Sequence, residues 1–253
     1  SVLAGAALPL AFAPFQQFWL APLSYAALLY VWRDATPRRA FGLGFVYGCG
    51  SFGFGTYWTY IAVRDFGEAP IVLAGGLTLG LVAVLALFVA AAGYAAARWF
   101  RTQGPLAWLV TLPALFVVGE WLRSWLFTGF GWLAAGYSQT DSWLMGYAPL
   151  VGIHGMSLAV LLTSGALLTL VFGTNRVRVA AATLVAVVWG GGFAAQQHAF
   201  TQPKERELKV ALVQGAITQD LKWRPEQLPG TLALYSELTR QSYGADLIVW
   251  PEA

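Results

Sequence analysis

Cysteine, lysine and charge are all scarce in this chain, and each scarcity excludes something. Cys49 is the single cysteine among 253 residues, so no internal disulfide is possible and cysteine usage does not reveal the compartment. Only 11% of the residues are charged, where soluble domains carry roughly 25%. The shortage is uneven: residues 1–203 hold 14 charged side chains and residues 204–253 hold 13. All three lysines, Lys204, Lys209 and Lys222, fall in the second stretch. Neither histidine, His154 or His198, has histidine, cysteine or carboxylate neighbours at ligand spacing, so no metal site is expected. G-x-S-x-G is absent, which removes the nucleophile elbow of the α/β-hydrolases. The net charge of +3 is scattered singly or in pairs between apolar runs, so no nucleic-acid partner is expected.

What is abundant is apolar surface. Hydrophobic residues make up 58% of the chain, and a bilayer is crossed by ~20 apolar residues in a helix. Seven candidate spans are legible: 1–13, 17–32, 40–62, 70–97, 105–127, 148–172 and 178–198. The second is short enough to tilt little or to run along the interface. The composition changes near Thr201-Gln202-Pro203, so a membrane domain is expected over 1–203 and a soluble stretch over 204–253. Arginines orient the spans. Arg33, Arg38 and Arg39, then Arg98 and Arg101, then Arg176 and Arg178 follow alternate spans, whereas the intervening connections carry Arg64 alone, with Arg123 near the end of the fifth span. The arginine-rich side is expected to be cytoplasmic. Seven crossings then carry residue 204 onward to the outer face. Ser1 opens inside an apolar stretch and the chain stops just after a strand, so a piece of a longer protein is expected, with no recognisable cleavable signal peptide.

From Leu208 the periodicity changes. Leu208–Gln214 reads as a strand, Gly215–Trp223 as a loop, and Pro225 to about Tyr243 as a helix, with Pro229 and Gly230 pointing to a late or broken first turn. Leu247–Trp250 is a short β-branched and aromatic run that reads as a buried strand, ended by Pro251. This is the β-loop-α-β opening of an α/β domain. Glu252 therefore stands at the carboxyl end of a strand, where ligands of open α/β sheets bind. A carboxylate there serves as a general base or is a solvated loop residue; the position alone leaves both open.

Other candidates need weighing. Gly48-Cys49-Gly50-Ser51-Phe52-Gly53 fits G-x-G-x-x-G, but it lies inside an apolar span with no preceding strand, so it is read as packing surface. Gly44 and Gly48 give a small-xxx-small face for close helix contact. Cys49 has nothing nearby to favour a thiolate and is read as structural. Glu120 and Arg123 stand three apart on one helix face. An intrahelical ion pair is the preferred reading, against a polar anchor for a lipid headgroup or for the following loop. Trp121, Trp125 and Trp132 flank them as an interfacial belt would. Residues 128–147 are too polar and glycine-rich to span, and form an outer-face loop that contacts lipid substrate or merely connects.

Leu208–Gln214 followed by Ala245-Asp246-Leu247-Ile248-Val249-Trp250-Pro251-Glu252 resembles the opening of a nitrilase-type (carbon–nitrogen hydrolase) domain. A domain of that type behind seven spans resembles the apolipoprotein N-acyltransferase family. Trp121-Leu122-Arg123, Thr128-Gly129-Phe130, Trp132-Leu133, Gly136-Tyr137-Ser138-Gln139 and Leu221-Lys222-Trp223 are similar to that family as well, so the resemblance covers nearly the whole chain. It implies a polytopic α-helical membrane domain followed by the start of an α/β nitrilase-like αββα domain on the periplasmic side of a bacterial inner membrane. It further implies acyl transfer from a phospholipid donor to the S-diacylglyceryl-cysteine of an apolipoprotein acceptor, through a thioester and a Glu-Lys-Cys triad, with no cofactor or metal. Only the glutamate carries over, as Glu252, the general base. The family's lysine and cysteine find no match here, so the stretch by itself is expected to be inactive. Trp223 matches a family tryptophan, which implies a place near the substrate entrance. A membrane-tethered nitrilase-like amidase and a non-catalytic lipid transporter or binding protein are the alternatives.

Overall fold

A computed structural model of the chain describes residues 1–100, 102–202, 207–222 and 224–251. They divide into two compact units, one of residues 1–64 and 69–200, the other of 65–68 and 201–253.

The first unit is helical. Its helices are α1 (Val2–Ala7), α2 (Leu20–Trp32), α3 (Pro37–Gly55), α4 (Trp58–Ile61), α5 (Ile71–Trp99), α6 (Leu112–Arg123), α7 (Ala148–Phe172) and α8 (Asn175–Gln196). Three helical stretches among the described residues are long and apolar enough to cross a membrane: Ile71–Trp99, Trp143–Phe172 and Asn175–Gln196. They correspond to the fourth, sixth and seventh expected spans. The other four expected spans form shorter or interrupted helices, each for a local reason. The chain turns at Phe15, Gln16 and Gln17 before α2 begins. The third breaks after Gly55, where α3 stops and α4 restarts at Trp58, and the glycines of α3 dilute its apolar character. The fifth opens on a wide π turn at Ala107–Thr111, and Pro113 follows in the first turn of α6.

Between apolar helices in lipid, association depends on close packing rather than on expulsion of water. Gly44 and Gly48 supply it: a Cβ at Gly44 would lie 2.9 Å from the Val89 carbonyl oxygen, and one at Gly48 2.7 Å from the Cα of Ala86. α3 and α5 thus touch backbone to backbone along the small-residue face that the sequence suggests. Trp32, Tyr25, Tyr47, Leu28 and Leu29 fill the adjoining interior. Polar side chains buried near them find backbone partners. The Trp32 indole donates to the Ala40 carbonyl at 3.0 Å, and Ser24 donates to the Ala4 carbonyl at 2.7 Å. Thr163, Ser164 and Thr169 of α7 each donate to the carbonyl four residues back.

The second unit has two strands, β1 (Val210–Leu212) and β2 (Leu247–Val249), with α9 (Gln219–Lys222) and α10 (Leu228–Gln241) between them. Both strands are shorter than the runs that mark them in the sequence. A single 3-10 turn at Pro225–Gln227 leads directly into α10. Pro229 sits in the first turn of that helix, where the missing N–H has no intrahelical partner to lose, so it starts the helix instead of breaking it.

Candidate functional site

The strand ends of the second unit come first. β1 and β2 pair in parallel, with Val210 opposite Leu247, Ala211 opposite Ile248 and Leu212 opposite Val249. The Val213 amide extends the ladder to the Val249 carbonyl at 2.9 Å. In a parallel pair both carboxyl ends open on the same edge, which is the ligand-binding edge of α/β sheets. The opposite end is closed by Asp246, whose carboxylate accepts the Lys209 amide at 3.0 Å while its own amide donates to the Lys209 carbonyl at 2.8 Å.

α10 holds the carboxyl edge. The Trp250 ring packs at 5.2 Å on the ring of Tyr235, and its indole donates to the Thr239 hydroxyl at 2.9 Å. The Tyr235 hydroxyl accepts the amide of Gly215 at 3.3 Å, so the loop after β1 and the residue after β2 are pinned to the same helix. Pro251 follows. Glu252 and Trp223, the residues singled out from the sequence, lie outside the described residues. The structure describes the scaffold that precedes each of them: β2 and Trp250 before Glu252, and α9 before Trp223.

The second polar feature lies at the far end of α6. Glu120 and Arg123 are 5% and 4% exposed. They do not form the ion pair that their spacing suggests; each captures a different part of the following loop. The Arg123 Nη1 donates to the Phe130 carbonyl at 2.5 Å and to the Trp132 carbonyl at 2.7 Å, and its guanidinium lies 5.1 Å from the centre of the Phe52 ring. Glu120 accepts the Ala135 amide at 2.8 Å and the hydroxyl of Ser157. Ser157 in turn accepts the Gly136 amide at 2.9 Å, which ties the loop to α7. The His154 Nδ1 stands 3.8 Å from the same carboxylate without a hydrogen bond. The loop-anchoring reading therefore replaces the intrahelical pair. The reason is energetic: two buried charges with loop amides and carbonyls in reach satisfy more backbone groups apart than together. A cavity of about 20 Å³ beside them, lined in part by Tyr25, Tyr47 and Phe116, has room for one water molecule.

This anchoring shapes an aromatic rim. Phe127, Thr128 and Leu133 have positive φ, and the Phe127 side chain is 80% exposed. Trp121 packs on Trp125 and Trp58 on Trp132, both at 5.3 Å. Gln139 is sealed inside the loop, where it donates to the Phe18 carbonyl and the Ser138 hydroxyl and accepts from Ser142. Such a rim presents apolar and amphipathic rings side by side. The described residues contain no cluster of histidine, cysteine and carboxylate side chains able to hold a metal. Cys49 is half-buried within α3. The role of Ser157 was not legible in the sequence, because its partner, Glu120, is more than thirty residues away.

Known proteins align with both regions. The model of the apolipoprotein N-acyltransferase N-terminal domain family matches residues 4–166. A protein of Azotobacter vinelandii named apolipoprotein N-acyltransferase is 44% identical over 253 residues, covering 98% of this chain and 49% of that protein. Proteins of the same name from Coxiella burnetii and Vibrio parahaemolyticus are 42% and 37% identical, covering 100% and 98% of this chain and 53% and 49% of their own lengths. The chain spans about half the length of these curated relatives.

Proposed function

We propose, from the premise that this chain belongs to the apolipoprotein N-acyltransferase family, that the complete protein moves an acyl chain from a phospholipid to the α-amino group of an S-diacylglyceryl-cysteine at the start of an apolipoprotein. The observation that carries this reading is the alignment of the relatives across both units, so that the membrane helices and the parallel strand pair are matched together. In this proposal 1–203 is a membrane domain with seven spans and 204–253 begins a nitrilase-like domain on the periplasmic side of a bacterial inner membrane.

The chemistry assigned to Glu252 is proton transfer. A cysteine of the complete protein gives up its thiol proton to the Glu252 carboxylate, and the thiolate attacks the ester carbonyl of the phospholipid. A thioester forms, the ester bond breaks, and the lysophospholipid leaves with the proton. The cysteine-bound acyl group then goes to the incoming amine: an amide forms, the thioester breaks, and the thiol is regenerated. Three features support Glu252 in this role. The strand before it ends at a proline, its neighbour Trp250 is fixed to α10, and parallel pairing opens both strand ends on one edge. Trp223 is placed near the substrate entrance. The aromatic rim around the 128–147 loop gives two-tailed substrates a surface to approach.

Mass spectrometry of the complete protein after incubation with phospholipid tests the reading. An added fatty-acyl mass on one cysteine, removed by hydroxylamine and by a diacylglyceryl-cysteine peptide, is the expected result. A protein that takes up no acyl group yet releases ammonia from small amides would be a tethered amidase instead.

A further inference from the structure

The arginine-rich end of α3 and α5 carries a groove. Its volume is about 530 Å³, and it is lined by Arg38, Phe41, Ala91, Tyr94, Ala95 and Trp99, a size in the range of small-ligand sites. Its composition is that of a lipid–water boundary: an alanine floor, three aromatic rings, and a cation at the rim. Tyr94 and Trp99 meet edge to face at 6.5 Å, so one wall is a preformed aromatic surface. Phe41, Tyr94 and Trp99 are 37%, 38% and 67% exposed. Arg38 has no hydrogen-bond or acidic partner among the described residues, and the same is true of its exposed neighbours at this end, Arg39 and Arg98. Asp34, the acid nearest in sequence, is already engaged by Arg33 and Gln103.

The position matters as much as the lining. At its other end α3 meets the aromatic-rimmed loop, where Gly55 abuts Leu133. The 19 residues of α3 separate the two ends by roughly 28 Å at 1.5 Å rise per residue, close to the ~30 Å of a bilayer's hydrocarbon core. Because α5, which packs along α3, is long and apolar enough to cross a membrane and carries the groove on its last turns, the groove and the loop are placed in opposite leaflets.

We infer that this groove binds an anionic phospholipid of the leaflet opposite the aromatic loop. The Arg38 guanidinium takes the lipid phosphate, the Trp99 and Tyr94 rings lie at the glycerol level, and Phe41, Ala91 and Ala95 contact the upper acyl chain. Charge complementarity selects the headgroup. A zwitterionic lipid brings its own ammonium, for which the described residues of this arginine-bearing end offer no free carboxylate, whereas phosphatidylglycerol leaves its negative charge uncompensated. The site is one for a resident lipid that holds α3 against α5, distinct from any acyl donor.

Native mass spectrometry of the complete protein, released from nanodiscs of mixed phosphatidylglycerol and phosphatidylcholine, tests this without relying on acyl transfer. Retention of phosphatidylglycerol over phosphatidylcholine is expected, with a ~5-fold loss of it in Arg38→Ala and its recovery in Arg38→Lys. Arg176→Ala, a basic residue outside the groove, should leave retention unchanged. Should Arg38→Ala fail to fold, Trp99→Ala reads the same site through the aromatic wall and should also shed the lipid. Equal retention of both lipids by the wild type, or equal losses in Arg38→Ala and Arg176→Ala, would overturn the assignment.

Discussion

In the helical unit Trp32, Tyr25 and Tyr47 are sealed from solvent, whereas in the second unit Val213 is the one buried side chain among the described residues. The helical unit is held by close backbone contact at glycine and by buried charges with backbone partners. In the second unit β1 and β2 are exposed at alternate residues and no residue of α10 is buried. Parallel sheets are ordinarily covered on both faces, and a two-stranded sheet has too little burial to stand alone. Order there depends on a few specific bonds: the Asp246–Lys209 clasp and the fixing of Trp250 and Gly215 to α10. One region is therefore sensitive to added volume, the other to lost hydrogen bonds.

The sharpest separation of the two regions is chemical. In the complete protein Glu252→Gln should reduce the rate of acyl-enzyme formation by about 10²–10⁴-fold while leaving the melting temperature unchanged. Undiminished thioester formation, followed by intact-protein mass spectrometry, would remove Glu252 from the mechanism. The next effect belongs to the helical unit. Arg123→Ala should cost about 3 kcal/mol, because it takes the donor from two loop carbonyls at once and removes a buried side chain. Hydrogen exchange should show the loss first in 128–136; uniform protection across that loop would mean that Arg123 is not its anchor.

A matched pair of glycine substitutions divides the units directly. Gly48→Ala forces a Cβ to 2.7 Å from the Cα of Ala86 and should destabilise by about 1–3 kcal/mol. Gly230→Ala, in α10 with nothing within 4 Å, should be neutral or stabilise by up to about 1 kcal/mol. Equal melting temperatures for the two variants would erase the contrast in packing. Trp223→Ala is expected to have the smallest effect on stability, with slower turnover and a nearly unchanged melting temperature. A large drop in melting temperature with normal specific activity would make it a packing residue.

Much of the architecture was legible from local pattern. The glycines at 44 and 48 announced close packing by their spacing, and the structure puts α5 against them. The two strand runs were legible from β-branched residues ended by Pro251 and Gly215, though the paired segments are shorter than the apolar runs. The count of long helices was not legible. Apolar composition reads α2 and the glycine-rich α3 as spans, while turn chemistry at Gln16–Gln17 and the break after Gly55 are decided by contacts. The fate of Glu120 and Arg123 was misread because sequence spacing displays side-chain neighbours but not backbone ones.

The sequence by itself determined where the chain is apolar, where its arginines gather, where two β-branched runs lie, and which family's motifs it carries, since these follow from residue order and short-range periodicity. Only the tertiary structure decided that the two buried charges of α6 bind a loop instead of each other, that both strands run parallel with their ends on one edge, and that Arg38 meets Trp99 across a groove. Those outcomes depend on which backbone amides, carbonyls and rings the fold brings within a few ångströms, and residues distant in sequence become neighbours only when helices pack.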